Sequence, residues 1–186
     1  MTGKIDSKIK SLSELACALE ALREKGKKIV HCHGVFDLLH PGHFKHFEAA
    51  KQKGDILVVT LTKDEFVNKG PGRPIFNQYL RQESLAALQC IDFVALNEGP
   101  TAVEAIKKLK PDFYVKGKDY ERKEDDITGK IFEEESVVRS VGGELYFTDE
   151  ITFSSSSLIN TYLAPYPEES KDFFLKYIPE RLGIVF

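Results

Sequence analysis

Residues 28–43 read Lys-Ile-Val-His-Cys-His-Gly-Val-Phe-Asp-Leu-Leu-His-Pro-Gly-His. The short apolar run ending at His33 predicts a buried strand over 28–33, and Pro41-Gly42 opens a predicted helix over 41–53 that Gly54 closes. A strand handing over to a helix through a glycine loop is the first half of a β-α-β crossover. The next segment completes the crossover. Residues 55–61, Asp-Ile-Leu-Val-Val-Thr-Leu, form the unbroken apolar run expected of a strand buried on both faces of a parallel sheet.

The alternation extends outward from this unit. Upstream, Ser11-Leu12-Ser13-Glu14 has capping-box spacing and opens an amphipathic helix through Leu15, Leu19 and Leu22 to Gly26. Downstream, helices are predicted over about 77–89, 100–109, about 129–141 and about 155–162, with strands at 92–96, 112–116 and 144–148. Right-handed crossovers between these strands imply an α/β fold, a Rossmann-like, doubly wound parallel five-stranded sheet. Residues 1–165 are read as this domain and 166–186 as a C-terminal helical extension, with Phe173, Phe174, Tyr177 and Ile178 on one side of a helix over 168–182. The apolar end Gly183-Ile184-Val185-Phe186 suits a piece of a longer polypeptide or a homodimer contact.

Composition bounds the function. The 186 residues are 42% hydrophobic and 30% charged, as in an ordinary globular domain. No apolar run reaches the roughly 18 residues of a membrane span, and the N-terminus lacks a secretory apolar stretch, so a cytoplasmic protein is expected. Three cysteines, Cys17, Cys32 and Cys90, without a C-x-x-C pair argue against disulfides and a cysteine zinc site. A net charge of −3 carries no nucleic-acid footprint. Any bound anion must be held locally.

In doubly wound sheets ligands sit beyond the carboxyl ends of the strands, and Gly34 to His43 occupies the first such position. Gly34 suits close approach of a ligand to backbone, Pro41 suits the first helical turn, and Gly42 leaves room over the helix N-terminus. That terminus, with its unpaired N–H groups and partial positive charge, suits a polyphosphate. His40 and His43, three residues apart, are placed to donate hydrogen bonds to phosphoryl oxygens as charge shifts.

Four blocks, at matching order and spacing, carry a resemblance to the H-x-G-H nucleotidyltransferase superfamily and its cytidylyltransferase-like branch over about residues 28–163. They are Gly34 to His43; Lys69-Gly70-Pro71-Gly72-Arg73-Pro74 followed by Arg81; Val115-Lys116-Gly117-Lys118-Asp119-Tyr120; and Ser154-Ser155-Ser156 leading into Leu158-Ile159. Within that branch the chain most resembles heptose 1-phosphate adenylyltransferase modules, which are often fused to a ribokinase-like sugar kinase. The resemblance implies that His40, His43 and Lys69 are catalytic. It implies that Gly34, Val35, Phe36, Asp37, Gly42, Lys116, Gly117, Asp119, Ser154, Ser155 and Ser156 bind nucleotide, with Asp37 orienting the site or Mg²⁺. Lys45, Arg73 and Arg81 would hold the substrate's phosphate.

The implied reaction transfers a nucleoside monophosphate, AMP favoured, from a nucleoside triphosphate to a phosphorylated sugar. Mg²⁺ or another divalent cation neutralises the triphosphate, pyrophosphate leaves, and the product feeds nucleotide-sugar and surface-glycan synthesis. A homodimer and a fused or separate sugar kinase are expected partners. The alternatives are a glycerol 3-phosphate or polyol-phosphate cytidylyltransferase and a non-catalytic nucleotide-sensing module. Two positions depart from the relatives: Phe153 stands where the heptose enzymes have an arginine, and Asp149 where the glycerol 3-phosphate enzymes have one.

The same residues have plainer readings. All five histidines fall between His31 and His46, but no carboxylate or cysteine spacing completes a tetrahedral zinc site, so His31 and His46 are read as packing or solvated residues. His33, at the strand end, is open to either role. For Ser154 to Ser157 a plain helix cap is compatible with phosphate binding.

Overall fold

A computed structural model describes residues 2–70, 72–118 and 130–149. The predicted Ser155 helix, the 168–182 helix and the boundary at 165 lie outside the described residues. Within them the order is α1 (Thr2–Asp6), α2 (Leu12–Arg23), β1 (Ile29–Gly34), α3 (Pro41–Lys51), β2 (Ile56–Thr62), α4 (Gln78–Ala86), β3 (Phe93–Asn97), α5 (Val103–Leu109), β4 (Phe113–Gly117), α6 (Lys130–Ser140) and β5 (Glu144–Thr148). A 3-10 turn, Asp64–Phe66, follows β2.

The five strands form one sheet in the order β3-β2-β1-β4-β5, every pair parallel. This is the predicted doubly wound arrangement. The order reverses between β1 and β4, whose carboxyl ends therefore lie side by side.

The capping box of α2 forms in full: Ser11 accepts from the Glu14 N–H while the Glu14 carboxylate accepts from the Ser11 N–H. Leu12, Leu15 and Leu19 pack with Ile29, Val58 and Ala95 on one face of the sheet. On the opposite face Phe47 and Ala50 of α3 and Leu85 of α4 close over Val30, Cys32 and Val59. Both faces of β2 are covered, as its unbroken apolar run required.

Three boundaries differ from the sequence reading. The fifth helix begins at Val103 rather than at residue 100, because the Asn97 amide donates to the carbonyls of Gly99 and Thr101 and holds that stretch as a loop. The fourth ends at Ala86, beyond which Leu88 and Ile91 close three-residue turns back to Leu85 and Leu88. Helix α1, which leads into a bridge between Ile9 and Val94, was not foreseen.

Candidate active site

The site begins where β1 ends. After Gly34 the chain turns through Phe36 at a φ of 51°, a left-handed conformation uncommon for a residue with a side chain. The turn folds the Phe36 ring back over the strand: a Cβ placed on Gly34 would lie 2.9 Å from Phe36 Cζ. The absence of a side chain at Gly34 therefore leaves room for this ring. From there Phe36 meets His43 edge-on, with centroids 5.3 Å apart, and leans on Phe47 at 5.1 Å.

His40 caps α3 from an extended conformation, and Pro41 opens the first turn. The His40 side chain makes no capping bond to the helix, while the His40 carbonyl accepts from the His43 N–H at 2.9 Å. Gly42, buried in the same turn, completes the terminus. The two imidazoles stack, with centroids 3.8 Å apart and planes at 21°. Burial lowers the His40 pKa, and burial followed by the charges of His40, His46 and Lys69 brings His43 down to about 3. Both rings are neutral near pH 7, and His43 Nδ1 has no hydrogen-bond partner among the described residues.

Lys69 stands exposed on the turn that Gly70 and Gly72 make at φ of 96° and 71°. Lys45 lies on the outer face of α3 and pairs with Glu48 at 3.2 Å. The structure thus brings the Lys69 charge towards His43, whereas Lys45 stays with its helix neighbour.

Three motif residues, Asp37, Arg73 and Arg81, have partners within the chain. Asp37 is buried; its Oδ1 accepts from the N–H groups of Ile75 at 2.7 Å and Phe76 at 3.2 Å, and its Oδ2 lies 2.9 Å from Arg73 Nε. Asp37 therefore ties the histidine loop to the Arg73 loop, and Arg73, equally buried, answers its charge. Arg81, expected at a substrate phosphate, is only 1% exposed. It donates to the carbonyls of Phe76, Val35 and Thr62 and to Asp64, which makes it a strut between the loops that carry them.

At the neighbouring strand end Lys116 is buried, its Nζ 3.0 Å from Glu134 Oε2. The Lys116 carbonyl accepts from the Thr148 hydroxyl, and Thr148 also bonds His46 Nδ1 at 2.7 Å, which joins α3 to the end of β5. Gly117 pairs in register with Thr148. Lys118 reaches Asp149 at 2.6 Å. Asp119, Phe153 and Ser154 to Ser156 lie outside the described residues.

The remaining histidines have structural partners. Thr60 Oγ1 sits between His31 Nε2 at 2.7 Å and His33 Nδ1 at 2.9 Å, and His33 Nε2 faces Thr62. Among the described residues no three His, Cys, Asp or Glu side chains are grouped to hold a metal, and no helix is long and apolar enough to cross a membrane.

Sequence reasoning missed Glu134, although a signal was there. Ile131, Glu134 and Val138 occupy one stripe of α6 and all three are buried, so an acid in an apolar stripe calls for a buried partner.

A cytidylyltransferase-like family profile matches residues 31–161. The bifunctional protein HldE of Geobacter metallireducens is 41% identical over 170 residues, which cover 88% of this chain and 33% of that protein. HldE of Citrifermentans bemidjiense is 42% identical over 156 residues, 83% of this chain and 31% of the relative. The chain spans about a third of the length of these curated relatives. Among solved structures, a lipopolysaccharide core biosynthesis protein from Thermoplasma volcanium superposes with a TM-score of 0.55 at 25% identity, covering 69% of this chain and all of that one. Pantoate-beta-alanine ligase from Francisella tularensis, at 14% identity and a TM-score of 0.58 over 95% of this chain and 79% of its own, shares the fold. With the profile spanning most of the chain and the stacked histidines at the sheet's switch point, the chain belongs to the cytidylyltransferase-like family of nucleotidyltransferases.

Proposed function

We propose that this chain transfers a nucleoside monophosphate, AMP in preference, from a nucleoside triphosphate to a sugar phosphate such as heptose 1-phosphate, in the cytoplasm, for nucleotide-sugar and surface-glycan synthesis. The observation that carries the reading is the stacked His40 and His43 pair at an N-terminus of α3 that has no side-chain cap. The HldE relatives and the lipopolysaccharide core protein support the sugar-phosphate assignment.

In this reading the phosphate oxygen of the acceptor attacks the α-phosphorus in line and pyrophosphate leaves. The protein supplies position and electrostatics. Neutral His40 and His43 each offer a ring N–H to phosphoryl oxygens as negative charge builds, the partial positive charge at the N-terminus of α3 favours the triphosphate, and Lys69 adds charge from the neighbouring turn. The Asp37 carboxylate is already held by Arg73 and two backbone N–H groups, so it does not fit a resident metal site. A divalent cation then belongs to the substrate as the metal–nucleotide complex. Homodimerisation and cooperation with a fused or separate sugar kinase accompany this reading.

Pyrophosphate release from ATP and CTP, each crossed with sugar 1-phosphates and polyol phosphates, tests it. Turnover with ATP and a heptose 1-phosphate is expected. Turnover only with CTP and glycerol 3-phosphate or another polyol phosphate replaces the acceptor and base, and nucleotide binding without release across the panel identifies a sensing module.

A further inference from the structure

We propose that Glu134 is a positioning residue of the nucleotide site, holding the Lys116 ammonium at the carboxyl end of β4. The inference rests on the nucleotidyltransferase function proposed above and on the nucleotide-binding role that the family resemblance implies for Lys116.

Glu134 projects from α6 and is only 3% exposed, so its charge is costly unless partnered. Among the described residues it has three partners. Oε1 accepts from the Ala102 N–H at 3.1 Å, at the start of α5, and Oε2 accepts from the Tyr114 hydroxyl at 2.9 Å. These two neutral donors dock α5 and β4 against α6, and a neutral amide could answer both only with the Tyr114 hydroxyl reversed to accept. Only the third partner, Lys116 Nζ at 3.0 Å from Oε2, makes use of a full negative charge. A carboxylate at this position is therefore explained by the lysine.

Lys116 is itself buried, and an ammonium in that setting is stabilised by an anionic neighbour. With it, the ammonium sits over the Tyr114 ring, 5.2 Å from the centroid, beside the switch point where doubly wound sheets take their ligands. The other titratable groups near Lys116 are His31, His46 and Cys32. Burial keeps both histidines and the thiol uncharged near pH 7, so among these described groups Glu134 is the anionic one.

The test measures dissociation constants of magnesium–ATP and magnesium–CTP for the full chain by calorimetry, together with thermal unfolding. Glu134→Gln is expected to weaken nucleotide binding about tenfold, on the scale of one charge-assisted hydrogen bond. Lys116→Met should weaken it at least as much, the double variant should be no weaker than Lys116→Met alone, and Glu134→Asp should recover part of the affinity. Wild-type affinity in Glu134→Gln overturns the proposal, as does a Glu134→Gln loss that persists undiminished in the Lys116→Met background. Should Glu134→Gln fail to fold, Lys116→Met decides, since unchanged affinity there overturns it too. A wild-type chain that binds neither nucleotide removes the nucleotidyltransferase reading and this one together, whereas wild-type binding with an indifferent Glu134→Gln removes this one alone.

Discussion

The imidazole of His40 lies flat against that of His43, 3.8 Å away, with Phe36 edge-on behind the pair. Stacking fixes the orientation of both rings before any ligand arrives, and burial keeps both uncharged. Donors held in this way act on charge that develops in the transition state, where each is worth about 3 kcal/mol. His40→Ala and His43→Ala should each lower the single-turnover rate by about two orders of magnitude while changing nucleotide affinity only a few-fold. Rapid-quench measurement of pyrophosphate release decides this; near-normal rates in both variants would remove the pair from catalysis.

Arg81 should behave as a structural residue. Its guanidinium meets the carbonyls of Val35 and Thr62, which belong to the ends of the histidine loop and of β2, and it answers Asp64 at 2.7 Å. Arg81→Met leaves those carbonyls and Asp64 without their donor, at a cost of about 3 kcal/mol or more in unfolding free energy. Equilibrium urea unfolding measures that loss. Unchanged stability with a raised Michaelis constant for the sugar phosphate would return Arg81 to the substrate site.

The two arginines show where sequence reading stops. The strands were legible because runs such as 56–61 are apolar throughout, and the histidine pair because Pro41 and Gly42 mark a helix start beside it. The motif also points correctly to the strand end where His40 and His43 meet. It is silent on whether a motif cation faces outward. Two of the acceptors of Arg81 lie 46 and 19 residues away along the chain and are backbone carbonyls, which leave no trace in side-chain pattern. Asp37 is similar, since its Oδ1 is taken by backbone N–H groups in a loop almost 40 positions later. Glu134 was legible in principle, as an acid on the buried stripe of α6.

Gly34→Ala should impair turnover through Phe36. The added methyl would stand 2.9 Å from Phe36 Cζ, and that ring, held between His43 and Phe47, has little room to retreat. Overpacking of this kind costs about 1–3 kcal/mol. A lowered urea midpoint accompanied by a lowered rate at saturating nucleotide is expected. If the rate is unchanged while stability falls, the Phe36 contact does not govern the His43 ring. Gly143→Ala serves as the comparison, because its methyl would meet the Pro111 carbonyl oxygen at 2.2 Å, remote from the histidines, and should reduce stability alone.

Stability should fall steeply below pH 6.5. Burial is the leading cause that holds His31 and His43 at about 3 and His46 at about 4. In the unfolded chain each returns to about 6.5. Between those values the unfolded state binds protons that the folded state refuses, so the free energy of unfolding decreases as pH falls through this window and is fully retained above it. Each fully buried histidine adds a slope of up to about 1.4 kcal/mol per pH unit, with less from the partly solvated His43 and His46. The lowered carboxylates Glu14, Asp55 and Glu98 lose their contribution only below their ordinary values of 4.5 and 3.8, so the interval from 6.5 to about 5 belongs to the histidines. Urea midpoints should be level from pH 8 to 7 and then drop towards pH 5. His31→Gln, which can keep a bond to Thr60, should flatten the drop by roughly a third or more. A midpoint independent of pH across that interval would mean that these imidazoles are not buried neutral in the folded chain.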